Sequence, residues 1–178
     1  MRIVAGIARG RPLVAPAGRD TRPTSDKVRG AVFNVLGQFF DGGDALDLYA
    51  GTGALALEAL SRGISRATFV EDDRRAAEVL RRNVEACGFG DVVEVRLEPV
   101  ERALPKLAGR AFSLAFLDPP YAIGPGPALS ALAPCLAHGG LAVAEHDVRQ
   151  PPPDRPPGLA LVDRRRYGTT GISIYRRE

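Results

Sequence analysis

Ala45-Leu46-Asp47-Leu48-Tyr49-Ala50-Gly51-Thr52-Gly53-Ala54-Leu55-Ala56 is the stretch on which the fold turns. Its first five residues read as a buried strand, and the small residues after them as a tight turn. From Ala54 to Ser61 the residues favour a helix. A strand that runs through a glycine turn directly into a helix starts a parallel α/β unit, because parallel strands can be joined only by a crossover.

The same alternation continues downstream. Strands are expected at 67–71, 92–96, 111–117 and 140–145, and helices at 73–87, 99–107 and 127–137. In the helix at 73–87, Ala76, Ala77, Leu80, Val84 and Cys87 fall on one face and arginines and glutamates on the other. Residues 149–158 contain five prolines and must be a loop. Two last strands, near 159–165 and 171–176, flank Tyr167-Gly168-Thr169-Thr170 with no helix between them. They are expected to close the sheet as an antiparallel hairpin, a feature that separates methyltransferases from ordinary dinucleotide-binding folds.

Upstream, Thr24 or Ser25 can cap a helix with Asp26 in its first turn and an apolar face of Val28, Ala31, Val32, Val35, Leu36 and Phe39. Before it, Ile3 to Ala8 and Leu13 to Ala15 read as two short strands around the basic turn Arg9-Gly10-Arg11-Pro12. Such a β-hairpin is too small to have a core and must pack on something larger.

A chain of 178 residues suits one domain, with residues 1–20 as its appendage. Its two cysteines, Cys87 and Cys135, suggest neither a disulfide framework nor a zinc site. His138 and His146 have no matching cysteine pair and read as surface or hinge residues, so no metal is expected. Neither a secretory nor a membrane-spanning segment is visible, which predicts a cytoplasmic protein without membrane contact. The net charge is +3, but residues 1–30 alone carry +5 and the remainder −2. Basic charge gathered at the amino-terminal segment suits contact with phosphates, although a solubilising arm would show the same asymmetry.

Ligands of a parallel sheet bind beyond the carboxyl ends of its strands, and two segments lie there. The first is Asp47 to Gly53, where small residues allow close backbone approach. It lacks the third glycine of a dinucleotide fingerprint and the Lys-Ser/Thr of a triphosphate loop. Glu71 ends the second strand twenty residues after Gly51, where a carboxylate can accept bonds from ribose hydroxyls. Together they point to an adenosine-containing ligand. The second segment is Asp118-Pro119-Pro120-Tyr121, after the fourth strand. The exocyclic amino group of a base is a poor nucleophile because its lone pair is delocalised into the ring. Acceptors that hold its protons restore nucleophilicity, a task of positioning and electrostatics. Asp118 and the Pro119 carbonyl are such acceptors, Pro119 and Pro120 stiffen their backbone, and Tyr121 can stack on an unstacked base. No Gly-x-Ser-x-Gly elbow supports a hydrolase.

These segments, with Arg22-Pro23-Thr24-Ser25-Asp26-Lys27-Val28-Arg29, Arg9-Gly10-Arg11 and Tyr167-Gly168-Thr169-Thr170, make the chain resemble the RsmD family over essentially its whole length. These are bacterial 16S ribosomal RNA guanine-N2 methyltransferases. The resemblance implies a class I S-adenosylmethionine-dependent methyltransferase fold, seven-stranded and mostly parallel. It also implies S-adenosyl-L-methionine held by Asp47, Tyr49, Ala50, Gly51, Gly53, Glu71, Asp72, Glu98 and Asp118, with Arg22 and Thr24. Methyl transfer is expected at Asp118 to Tyr121. RNA is expected on Arg9, Arg11, Arg19, Arg22, Lys27 and Arg29. The implied partner is 16S rRNA in the small subunit or its assembly intermediate, and the enzyme is expected to be a monomer. Three positions depart from the family pattern. Gly30 replaces a glutamate, Ala56 a glycine, and Glu98-Pro99 an Asn/Asp-Ala pair, so that Glu98 is expected to reach the adenine amino group with a longer side chain. The Asp-Pro-Pro-Tyr tetrad would serve adenine or cytosine amino groups equally well. A non-catalytic RNA-binding assembly factor is the alternative of another class.

Overall fold

A computed structural model describes residues 1–15 and 26–178. Among them, α1 (Asp26–Leu36) leads into β1 (Asp44–Leu48), α2 (Ala54–Ser61), β2 (Arg66–Glu71), α3 (Arg74–Cys87) and β3 (Val93–Leu97). Then follow α4 (Val100–Leu107), β4 (Phe112–Leu117), α5 (Gly126–Leu132), β5 (Leu136–Asp147), β6 (Leu159–Tyr167) and β7 (Thr170–Arg177). The seven strands form one sheet in the order β3-β2-β1-β4-β5-β7-β6. β1 to β5 pair in parallel, and β7 lies antiparallel between β5 and β6. The expected terminal hairpin is therefore present, with its last strand on the inner side, against β5, and β6 at the sheet edge.

Each central strand sends alternate side chains to opposite faces. Ala45, Ala67, Phe69, Leu114, Phe116, Val143, Ile172 and Ile174 join Val32 and Phe33 of α1 and the apolar faces of α2 and α3. On the other face, Leu46, Leu48, Val70, Ala115, Leu117 and Tyr175 meet Val100, Leu104 and Leu107 of α4 and Leu129 and Leu132 of α5. Reversal of strand order between β1 and β4 leaves a crevice at their carboxyl ends, where both candidate segments emerge.

Four local expectations are corrected. α1 ends at Leu36, so Phe39 lies beyond it and is exposed, and the helix turns Arg29, Val32 and Phe33 inward. Pro134 cannot continue an α-helix, so α5 stops at Leu132 and Leu136 already belongs to β5. His146 is buried, not a surface residue: its ring bonds the Ser173 hydroxyl at 2.8 Å and the Asp147 carbonyl at 2.9 Å. The amino-terminal hairpin has a single antiparallel bridge, between Arg2 and Pro12, in place of two paired strands. Ile3 N–H donates to the Arg11 carbonyl and Leu13 N–H to the Met1 carbonyl, each at 3.0 Å, but Val4 and Ala5 N–H donate to the Glu58 carboxylate at 2.8 and 2.9 Å, and Ala8 N–H donates to the Ser61 hydroxyl at 2.9 Å.

Glu58 is the centre of this junction. It sits on α2, entirely buried, and also receives Arg62 Nε at 2.8 Å and faces Arg29 Nε at 3.5 Å. Arg62 in turn lies over the Phe33 ring, 4.6 Å from its centroid.

Candidate active site

β1 ends at Leu48, and Tyr49 then adopts a left-handed conformation with φ 62°, uncommon for a residue with a side chain. This sharp exit lets the Ala50 N–H bond the Val70 carbonyl at 3.1 Å and brings the turn over β2. The Tyr49 ring lines an apolar cleft of about 210 Å³ with Val100, Leu104 and Ala128, on the α4–α5 side of the sheet. Burial, with the Glu101 and Asp72 carboxylates nearby, pushes its phenol up to about 12.

Gly53 caps α2 at φ 77°, and a β-carbon there would come within 2.3 Å of Leu80 and 3.2 Å of Phe69. The position thus requires glycine on two grounds, conformation and space. With no side chain in the way, the turn packs onto α3, against Leu80.

Three carboxylates gather beneath and beside this turn. Glu71 is 5% exposed and accepts the Gly51 N–H at 2.8 Å and the Asp73 N–H at 2.9 Å, so the end of β2 is tied to the glycine turn. Its oxygens retain lone pairs for further donors such as ribose hydroxyls. Asp47, 2% exposed, accepts the Ala56 N–H of α2 at 3.2 Å and braces the turn from below. Burial pushes its carboxyl well above the usual carboxylate range, against the pull of the Ala56 bond, and the charges of Asp118 and Glu71 raise it further. Asp118 follows β4 directly, beside the end of β1, where Leu48 pairs with Leu117. Asp72 is exposed at the rim.

The rest of the tetrad is a short, closed loop. Pro119 is buried; the N–H groups of Ile123 and Gly124 both donate to the Pro120 carbonyl, at 2.9 and 3.1 Å. Tyr121 is 42% exposed, and its hydroxyl meets that of Thr170, at the start of β7, at 3.3 Å. The Tyr167-to-Thr170 segment is thereby placed against the Asp118-to-Tyr121 loop, a position its sequence did not disclose.

Other assignments come apart. Arg29, expected on an RNA-binding surface, is fully buried. Its guanidinium is spent on Asp26 at 2.8 Å, on the Arg2 carbonyl and on Glu58, because that buried carboxylate needs counter-cations. The Glu98 carboxylate is held by Arg96 at 2.7 Å and by Lys106, so an adenine amino group would have to compete with two cations for it. Arg9, Arg11 and Lys27 are exposed. Arg19, Arg22 and Thr24 lie outside the described residues. Glu58, Arg62, Asn83 and Thr170 were not anticipated.

The profile of the family described as Conserved hypothetical protein 95 matches residues 1–176. Ribosomal RNA small subunit methyltransferase D of Escherichia coli is 33% identical over 181 residues, covering all of this chain and 90% of its own length. The chain belongs to the RsmD family. YlbH of Bacillus subtilis, provisionally named an rRNA methyltransferase, is 40% identical over 99% of both chains. A solved Thermus thermophilus protein is 34% identical, with a TM-score of 0.84 over 98% of each chain. The sheet is that of a class I S-adenosylmethionine-dependent methyltransferase, the protein is an enzyme of this kind, and S-adenosylmethionine is its cofactor.

The residues suit that cofactor. Its net charge is positive, and Asp47, Glu71 and Asp118 present clustered negative charge that a cation relieves. Two predictions follow from this arrangement. Glu71→Ala is expected to weaken cofactor binding by about 1–3 kcal/mol with the fold preserved; unchanged affinity in isothermal titration of the folded variant would remove Glu71 from the ribose. The second concerns pH. A bound cation favours ionised Asp47, whose carboxyl is raised in the free protein. Binding should then release a proton, and affinity should tighten as pH rises through the raised titration range of this carboxyl. Asp47→Asn should flatten that dependence; titration of the wild type showing none would contradict the electrostatic role.

Proposed function

We propose that the chain methylates the exocyclic N2 of one guanosine in small-subunit ribosomal RNA, working as a cytoplasmic monomer on the subunit or its assembly intermediate. The observation that carries this reading is the placement of Asp118 at the end of β4, beside the glycine turn and at the head of a proline-stiffened loop. The name of the Escherichia coli relative supports small-subunit rRNA as the substrate, and the family resemblance supports guanine.

When bound, S-adenosylmethionine supplies an electrophilic methyl group on a sulfonium. The remaining work falls to the protein. Asp118 and the Pro119 carbonyl accept hydrogen bonds from the two amino protons and draw the lone pair out of the ring. As the nitrogen becomes cationic, the Asp118 charge stabilises it, and the carboxylate receives the proton that must leave. Tyr121, steadied by Thr170, offers an exposed ring on which the flipped base can stack. Gly51, Gly53 and Glu71 hold the cofactor at the neighbouring strand ends.

On this reading residues 1–20 are an RNA-contacting appendage of a single domain of 178 residues, presenting Arg9 and Arg11 to phosphates. Arg9→Ala combined with Arg11→Ala should weaken RNA binding and reduce the salt dependence by close to two charge units, leaving cofactor affinity unchanged. Filter binding to small-subunit rRNA across a salt series measures this. An unchanged slope would return the hairpin to a purely structural role.

A further inference from the structure

Besides the bond from Arg29 of α1 to the Arg2 carbonyl and a 3.9 Å contact of Thr52 Oγ1 with Met1 Sδ, the amino-terminal arm is fastened at two places that lead to the cofactor turn. The first is α2, which is capped by Gly53 and offers Glu58 and Ser61 to the arm's backbone. The second is Asn83 of α3, a polar residue 1% exposed on the helix's apolar face. Its Oδ1 accepts the Val14 N–H at 2.9 Å, and its Nδ2 donates to the Val14 carbonyl at 3.0 Å and to the Thr52 carbonyl at 2.9 Å. Both amide protons are therefore used. One joins the arm where it leaves the hairpin; the other joins the glycine turn. α3 needs neither bond to pack, since Leu80 and Val84 already face the core. An apolar residue would fill the position without the cost of burying an amide.

We propose that Asn83 is a positioning residue that couples the arm to the cofactor turn. A cofactor seated on Gly51 and Gly53 fixes the Thr52 carbonyl, and through Asn83 fixes Val14 and the hairpin that carries Arg9 and Arg11. By linkage, a ligand that fixes the hairpin tightens the turn by the same factor. The consequence for RNA rests on the function proposed above, whereas the coupling itself can be tested without RNA.

The test is amide hydrogen exchange of the full chain with and without S-adenosylhomocysteine. In the wild type, this ligand should slow exchange at Leu13 and Val14 several-fold, together with the turn and the first residues of α2. In Asn83→Ala, and in Asn83→Asp, which keeps an acceptor for Val14 but loses both donors, the turn should still respond and the arm should not. An arm indifferent to S-adenosylhomocysteine in the wild type overturns the proposal, as does an arm that responds equally in the variants. If neither variant folds, the wild-type response decides alone. Failure of the RNA reading would appear elsewhere, as an unchanged salt slope in the Arg9/Arg11 variant.

Discussion

Asp118→Asn is expected to slow methyl transfer by on the order of 100-fold or more, about 3 kcal/mol of transition-state stabilisation, while fold and cofactor affinity survive. The amide is nearly isosteric, and its oxygen still accepts one hydrogen bond. It lacks the charge that strengthens its hold on the amino group as nitrogen becomes cationic, so the loss belongs to the rate and not to substrate affinity. Asp118→Ala should be at least as severe. Tyr121→Phe should be mild, because stacking needs the ring and the hydroxyl only steadies it against Thr170. Single-turnover transfer at saturating cofactor measures these effects. An Asp118→Asn rate within a few-fold of wild type would mean that the carboxylate merely shapes the loop.

Glu58→Ala is expected to destabilise the protein by about 3–5 kcal/mol, because it leaves buried arginine charge without its partner. The variant removes the shared counter-ion of Arg29 and Arg62 and the acceptor of the Val4 and Ala5 N–H groups, all in one place. For a chain of this length the melting temperature should fall by roughly 10 °C. Glu58→Gln, which keeps one acceptor and loses the charge, should fall between the two. Thermal unfolding followed by circular dichroism checks this; a shift of only a degree or two would show that the junction relaxes to accept water. The arm should loosen in either variant, because its backbone ladder is one bridge long and the Val4, Ala5, Ile7 and Ala8 N–H groups all donate to α2.

The parallel core was legible because each strand carries its own signal. Ala45 to Leu48, Ala67 to Val70 and Leu114 to Leu117 are runs apolar but for Asp47 and Thr68, and such strands are buried on both faces wherever a crossover joins them. The hairpin at the end was legible from the absence of a helix between its two strands, but its order was not, since nothing local tells β7 to enter between β5 and β6. Gly51, Gly53, Glu71 and Asp118 stood out as candidates because they stand at or just beyond strand ends, where ligands of a parallel sheet bind.

Arg29 and Glu58 defeated the reading for one reason. A charged residue is counted toward solvent, yet these two are spent on each other across the α1–α2 contact, and neither helix alone shows the partner. A signal did exist: Glu58 stands among Leu55, Ala56, Leu57, Ala59 and Leu60, in a helix apolar all round, and must be buried and paired. Asn83 gave the same kind of signal, since it shares a face with Ala76, Leu80 and Cys87. Glu98 is a different case. Its backbone position after β3 suits the cofactor, but Arg96 and Lys106 bracket it in sequence and capture its carboxylate.

The most direct test is mass-spectrometric analysis of nucleosides from small-subunit rRNA after incubation of unmethylated subunits with the enzyme and S-adenosylmethionine. One N2-methylguanosine per rRNA molecule is the expected product, absent with Asp118→Asn over the same time. N6-methyladenosine, N4-methylcytosine, or no methylated base from a protein that binds S-adenosylmethionine would contradict it.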